Sequence, residues 1–220
     1  MSGIENGERV IGLVRRVNGP IIEASGISDA RMLEMVRVGE PHLVGEVVKL
    51  EGNGAIIQVY EDATGIAPGD RIYGSGMSMS VELGPGLIGT IYDGIQRPLE
   101  SLRALSGHFI ERGVSAEALD RKRVWHFVPA VAAGDELRGG MVLGTVQETS
   151  RIQHKVLVPP ELSGTVDYIA VEGDYTVDTT LARLCAHDVA ATQGVGSAGA
   201  GVTELKMFHR WPIRVPRPVA

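Results

Sequence analysis

Two stretches near the N-terminus, VIGLVRRVNGPIIEA over 10–24 and VGEVVKLEGNGAIIQVY over 44–60, share one grammar. Each has an alternating run rich in Val and Ile, a tight turn, and a return run of the same kind. Asn18-Gly19 supplies the positive φ that a two-residue turn demands, and Pro20 sets the step that follows. In the second stretch Val44, Glu46, Val48 and Leu50 fall on one side, Gly52-Asn53-Gly54 turns the chain, and 56–60 returns. A further strand over 70–73 follows the turn Pro68-Gly69. Short strands at this spacing predict a small closed or nearly closed barrel. Residues 28–38, SDARMLEMVRV, offer Ser28 or Asp29 as a helix cap, but the reading favours a strand with irregular ends.

The composition agrees with a mainly β chain. Gly 29 and Pro 11 suit many turns, and 44% hydrophobic residues with only 5% aromatics make a core of Val, Ile and Leu. A net charge of −6 argues against a nucleic-acid module, which carries a basic face. No apolar run approaches the ~20 residues that span a bilayer, so no direct membrane insertion is expected. The first residues lack the basic and apolar segments of a signal peptide. The lone Cys185 forms no internal disulfide, which points to a reducing, cytoplasmic compartment.

Residues 76–95 read as Gly-rich connectors. PLESLRALS over 98–106 is the one short helix: Pro98 suits a first turn, Leu99, Leu102 and Leu105 recur at helical spacing, and Gly107 stops it. A weak repeat follows. Gly134-Asp135 and Gly173-Asp174 mark turns, with Gly144-Thr145-Val146 and Gly164-Thr165-Val166 between them. Two such half-motifs predict a folded-over β-sandwich with approximate two-fold symmetry. The stretch 191–203 reads as a loop, flanked by candidate paired strands at Leu181-Arg183-Leu184 and Leu205-Met207-Phe208.

Gly84-Pro85-Gly86-Leu87-Ile88-Gly89 resembles a phosphate loop only in its glycines. A P-loop needs a lysine after its last glycine to neutralise phosphate, and none of Lys49, Lys122, Lys155 and Lys206 follows a glycine. No βαβ unit surrounds the pattern either, so these read as turn glycines. His42, His108, His126, His154, His187 and His209 show no H-x-x-x-H spacing that would put two imidazoles on one helix face. Glu34, Glu61 and Asp62 read as solvated acids, and Cys185 as a small buried hydrophobe. Arg210, Arg214 and Arg217 read as a solvated or inter-domain strand. No catalytic, cofactor-binding or metal-binding residue is assigned, and no cofactor is expected in this chain. Its last residues, Arg210 to Pro218, read as the lead-in to a further domain.

A carrier module is the main alternative. The repeat over 134–184 looks like the barrel-sandwich of biotinyl or lipoyl domains, whose modified lysine sits at a hairpin tip. Here Lys155 opens a strand and no Met-Lys-Met or Asp-Lys-Ala is present. A stand-alone binding domain is the third reading.

Several segments together resemble the catalytic A subunit of vacuolar/archaeal-type rotary ATPases. They are Val17-Asn18-Gly19-Pro20, Leu43-Val44-Gly45-Glu46-Val47 and Gln58-Val59-Tyr60-Glu61-Asp62-Ala63-Thr64-Gly65. Then come Glu82-Leu83-Gly84-Pro85-Gly86-Leu87, Ile91-Tyr92-Asp93-Gly94-Ile95-Gln96-Arg97-Pro98-Leu99, Arg112-Gly113-Val114, Gly139-Gly140, Val158-Pro159-Pro160, Tyr175-Thr176-Val177 and Arg210-Trp211-Pro212. The match runs in order through nearly the whole chain. The resemblance implies an N-terminal β-barrel over 1–75 and a connector that starts the nucleotide-binding domain over 76–107. It further implies a β-rich bulge resembling a barrel-sandwich hybrid over 108–208, and a lead-in over 209–220 to the rest of the nucleotide domain. The bulge separates this type of chain from its non-catalytic B partner. The resemblance also implies B subunits in an alternating hexamer, peripheral stalk contacts through the bulge, and a peripheral place on the membrane. Mg-ATP or Mg-ADP belongs to the full-length parent, whose P-loop follows this region, so the chain alone is expected not to hydrolyse ATP. Coding sequence continuing past Ala220 into Gly-Lys-Thr would mark it as a fragment.

Overall fold

The computed structural model describes residues 4–5, 8–107, 111–186 and 201–218. They form two compact units, one of residues 1–80 with 102–115 and one of 81–101 with 116–220.

The first unit is a barrel. Its strands are β1 (Ile4–Glu5), β2 (Glu8–Asn18), β3 (Ile21–Ser25), β4 (Glu34–Val38), β5 (Leu43–Glu51), β6 (Gly54–Val59) and β7 (Arg71–Ser78). They lie in the order β1-β2-β3-β6-β5-β4-β7, and β7 pairs back onto β2, which closes six of them. Closure removes the open edges that a sheet this short would otherwise leave. At the first hairpin Gly19 takes φ 56° between Asn18 and Ile21, the left-handed geometry that Asn-Gly favours. Ile11, Val14, Ile22, Val36, Val38, Leu43, Val47, Ile57 and Ile72 fill the interior.

Two readings of this region change. The side expected to hold Val44, Glu46, Val48 and Leu50 is not the core side of β5. Leu43 and Val47 face the core, and Leu50 is 40% exposed. Alternation from Leu43 puts Gly45 and Val47 on the core side and Val44 and Val48 on the other, ahead of the register shift between Val47 and Lys49. In 28–38 only Glu34–Val38 is strand, since Asp29 and Leu33 sit at positive φ and break the extended run before it.

Glu34 is not the solvated acid that its sequence neighbours suggest; it is 1% exposed. Its carboxylate accepts from the Gly76 amide at 2.8 Å, the Arg31 amide at 2.9 Å and Arg9 Nη2 at 3.2 Å. It therefore ties β4 to the end of β7 and to β2. Glu46, also 1% exposed, accepts from the Tyr60 hydroxyl at 2.9 Å. Glu61 and Asp62 are not loose either. Glu61 accepts from the Gly113 amide at 2.9 Å, and Asp62 accepts from Thr64, whose bonds hold its carboxyl below the usual range.

The helix α1 (Leu99–Ser106) forms where the leucine spacing predicts it. Leu102 is buried and Leu105 is 66% exposed, so the apolar stripe is narrower than the pattern suggests. No helix among the described residues is long and apolar enough to cross a membrane.

The second unit holds a sandwich of two antiparallel sheets and a separate ribbon. The ribbon pairs β8 (Ser80–Leu83) with β17 (His209–Pro212). The sandwich strands are β9 (Val124–Pro129), β10 (Glu136–Arg138), β11 (Val142–Gln147), β12 (Gln153–Leu157), β13 (Ser163–Ile169), β14 (Gly173–Thr176), β15 (Ala182–Ala186) and β16 (Val202–Leu205). One sheet runs β10-β13-β15-β16 and the other β12-β11-β9-β14. Along β9 burial alternates, with Trp125 and Phe127 inside and Val124, His126 and Val128 outside. Leu137, Leu143, Val146, Val156, Val166, Leu181 and Leu184 complete this core. Gly144 has a packing reason: a Cβ there would lie 2.3 Å from the Phe127 ring.

Two details of the repeat also change. Gly134-Asp135 turns as read, with the Asp135 carboxylate accepting from the Ala132 amide at 2.8 Å. Gly173-Asp174 does not turn; it begins β14, opposite Phe127 and His126. The loop expected over 191–203 lies outside the described residues up to 200, and its last two residues, Val202 and Thr203, belong to β16.

Candidate functional site

A polar cluster of the second unit gathers on Glu82 of β8, which is 9% exposed. Buried there, a carboxylate keeps its charge only if paired and hydrogen-bonded. Arg121 Nη2 lies 2.6 Å from both carboxylate oxygens, and Arg210 on β17 reaches Oε1 at 3.3 Å. Arg121 also packs its guanidinium 4.4 Å from the centroid of Phe208 and approaches Asp178 at 3.6 Å and Glu117 at 3.7 Å. The Glu82 backbone is clamped at both ends by Gln96, which accepts from its amide at 2.7 Å and donates to its carbonyl at 2.8 Å.

The glycine loop 84–89 presents its amides to an anion that the chain already owns. Gly86 N and Ile88 N donate to Glu148 Oε1 at 2.7 and 3.1 Å, and His154 Nδ1 lies 3.4 Å from Oε2. Glu148 is 7% exposed. Burial pushes the His154 imidazole below its usual range in spite of that carboxylate. His209 is pushed down to about 4, first by burial and then by the Arg217 guanidinium, whose Nη1 lies 2.9 Å from Nε2. Further along, Asp93 accepts from Arg97 Nε at 2.7 Å; burial alone would raise its carboxyl, but the bonds from Arg97 and Ile95 hold it low.

The remaining residues singled out in the sequence do not converge. Arg210, Arg214 and Arg217 form no common basic patch: Arg210 turns to Glu82, and Arg217 to His209 and the Trp211 ring. Lys155 lies in mid-strand opposite Thr145, whereas the tip of its hairpin is 148–152. His42 stacks on Tyr73 at 5.0 Å. His126 bridges Asp174 at 2.8 Å and Glu172 at 3.2 Å, which raises its pKa. His108 and His187 lie outside the described residues. Cys185 is exposed, not buried as its apolar neighbours suggest, because it follows the buried Leu184 on β15 and so takes the outward side. Among the described residues no group of three His, Cys, Asp or Glu side chains is placed to hold a metal ion.

Sequence reasoning missed the buried carboxylates. For Glu34 the available signal was EMVRV, where alternation puts the acid on the face of Val36 and Val38 and so demands a partner; SVEL carries no such signal for Glu82.

What stands out is construction: a closed barrel, a two-sheet sandwich, and carboxylates that lock loops to strands. Residues 14–76 match the model of the ATP synthase alpha/beta family beta-barrel domain, and 116–214 match that of the ATP synthase alpha/beta subunit barrel-sandwich domain. The A subunit of the A-type ATP synthase of Thermococcus kodakarensis is 53% identical over 208 residues, 94% of this chain and 34% of that protein. Its counterpart in Desulfurococcus sp. (strain SY) is 51% identical over 94% of this chain and 34% of its own length. The counterpart in Hyperthermus butylicus is 51% identical over 96% of this chain and 33% of its own. The chain thus spans about a third of the length of these relatives, and the part it matches is N-terminal. By sequence and by the order of its two domains, the chain belongs to the ATP synthase alpha/beta family, among the A subunits of the A-type synthases.

Proposed function

We propose that this chain supplies the N-terminal scaffold of a catalytic A subunit, and that the enzyme it serves couples ATP hydrolysis or synthesis to the transport of protons or sodium ions. One observation carries the reading: a barrel and then a barrel-sandwich, in the order and at the ~50% identity of the A subunits, over almost all of the chain. In this proposal the barrel, 1–75, joins the barrels of B subunits in an alternating hexamer, and the bulge, 108–208, meets a peripheral stalk. Residues 76–107 connect to and start the nucleotide-binding domain, and 209–220 lead into the rest of it. The assembly sits on the cytoplasmic face of its membrane without inserting this chain.

The described loop 84–89 does not fit Mg-ATP. The loop amides that would face a phosphate are held by Glu148, and no lysine follows a glycine. In this proposal nucleotide chemistry belongs to residues other than this loop. The test is reconstitution with the B subunit of an A-type synthase, read by native mass spectrometry. The expected result is a mixed complex, competed away by the full-length A subunit, with no Mg-ATP turnover by the isolated chain. Turnover above a buffer blank, or no association with B under conditions where the full-length protein associates, overturns the proposal. Intact mass settles the carrier alternative, since a biotinyl or lipoyl increment on Lys155 is expected to be absent.

A further inference from the structure

The second unit contains a cavity of about 610 Å³, within the size range of ligand pockets. Its apolar lining comes from Leu157, Leu162, Leu205 and Phe208. One wall is β16. Among the described residues that strand ends its sheet, with β15 as its one strand neighbour and no backbone hydrogen bond on its other edge. An open edge beside an apolar trough is the geometry by which an extended segment adds as a further strand, its main chain pairing and its alternate side chains entering pockets.

The charges around the trough are unbalanced. Its bases are already engaged: Arg121 and Arg210 by Glu82, and Lys206 by Asp178 at 3.8 Å. His209, neutral near pH 7, adds no charge. Among the acids, Glu161 and Glu204 are exposed and make no ion pair with any described residue; Glu204 accepts only from the Thr180 hydroxyl at 3.1 Å. Nearby Arg183 leans instead towards Asp167 and the Tyr168 ring. The uncommitted charge is therefore negative.

We infer that this trough docks an extended basic segment of a partner protein, which pairs along β16 and seats a lysine or arginine against Glu161 and Glu204. The aliphatic stem of that side chain lies along Leu157 and Leu162, as long basic side chains do on apolar surface. The inference stands on the cavity and the strand edge and not on the reading of the chain as part of a synthase.

The test uses the whole chain, isotopically labelled, titrated with an acetylated octapeptide that alternates lysine and valine. Controls are the glutamate–valine octapeptide, a lysine–proline octapeptide that cannot pair as a strand, and spermine. The expected result is amide shift changes concentrated at 157–162 and 202–206, binding that weakens as salt rises, and about fivefold weaker binding to Glu161→Gln/Glu204→Gln. Both positions are exposed, and unchanged tryptophan fluorescence melting shows that the double variant folds. Equal binding of the glutamate peptide, shifts centred elsewhere, or unaltered affinity in the double variant overturns the proposal. So does equal binding of the lysine–proline peptide or spermine, which would leave a cation site with no strand pairing.

Discussion

Removing the Glu34 carboxylate should loosen the barrel more than any surface change. Glu34→Ala strips the acceptor from the Gly76 and Arg31 amides, now bonded at 2.8 and 2.9 Å, and from Arg9 at 3.2 Å. A hydrogen bond to a charged group contributes about 1.5–3 kcal/mol. Gly76 and Arg31 are exposed enough for water to replace part of that bond, which favours the lower end for each amide. The Arg9 side chain is 35% exposed, so its screened pairing adds little. The sum is about 3 kcal/mol, a fall of roughly 100-fold in the protection of amides that exchange by unfolding of the barrel. Hydrogen exchange at Val36 and Ile72, both 0% exposed, reads it directly. Glu34→Gln keeps one carbonyl acceptor and should lose about half as much. Both tryptophans, Trp125 and Trp211, lie in the second unit, so their fluorescence checks separately that this unit remains folded. Protection at Val36 and Ile72 within about fivefold of the unsubstituted chain would refute the claim that this carboxylate pins β4 to β2 and β7.

Other outcomes follow from the second unit. Gly144→Ala drives a methyl into the Phe127 ring at 2.3 Å and should cost about 1–3 kcal/mol as overpacking, seen as an earlier tryptophan fluorescence melt. Glu148→Ala frees the Gly86 and Ile88 amides and should cost about 2 kcal/mol, with amide shifts confined to 84–90 and 148–154, while Glu148→Gln costs less. His209 is depressed from 6.5 to about 4 in the folded chain, so the unfolded chain binds its proton first as pH falls. Stability of this unit should therefore decline from about pH 6.5 towards pH 4 by up to ~2 kcal/mol after solvent screening, and His209→Asn should flatten that decline in denaturant titrations.

The local grammar of the chain was enough for its first hairpin turns, its helix and its family. Asn18-Gly19-Pro20 and Gly52-Asn53 specify turns through backbone sterics that act within a few residues. The helix over Leu99–Ser106 follows from leucine spacing and a proline at its start. The order of these pieces carried the resemblance to the A subunits, and the relatives agree with it.

Tertiary structure alone decided what each side chain does. Periodicity made Leu102 and Leu105 equivalent; packing buries one and leaves the other 66% exposed. Alternation along β5 does not say which of its two sides faces inward; the closed barrel chose Leu43 and Val47. The buried carboxylates were hidden most completely, because their partners are remote along the chain. Glu34 reaches Gly76 across 42 residues, Glu148 reaches Gly86 across 62, and Arg210 reaches Glu82 across 128. A sequence expresses short-range preferences one window at a time, whereas a charge survives in a core only when distant strands bring donors to it.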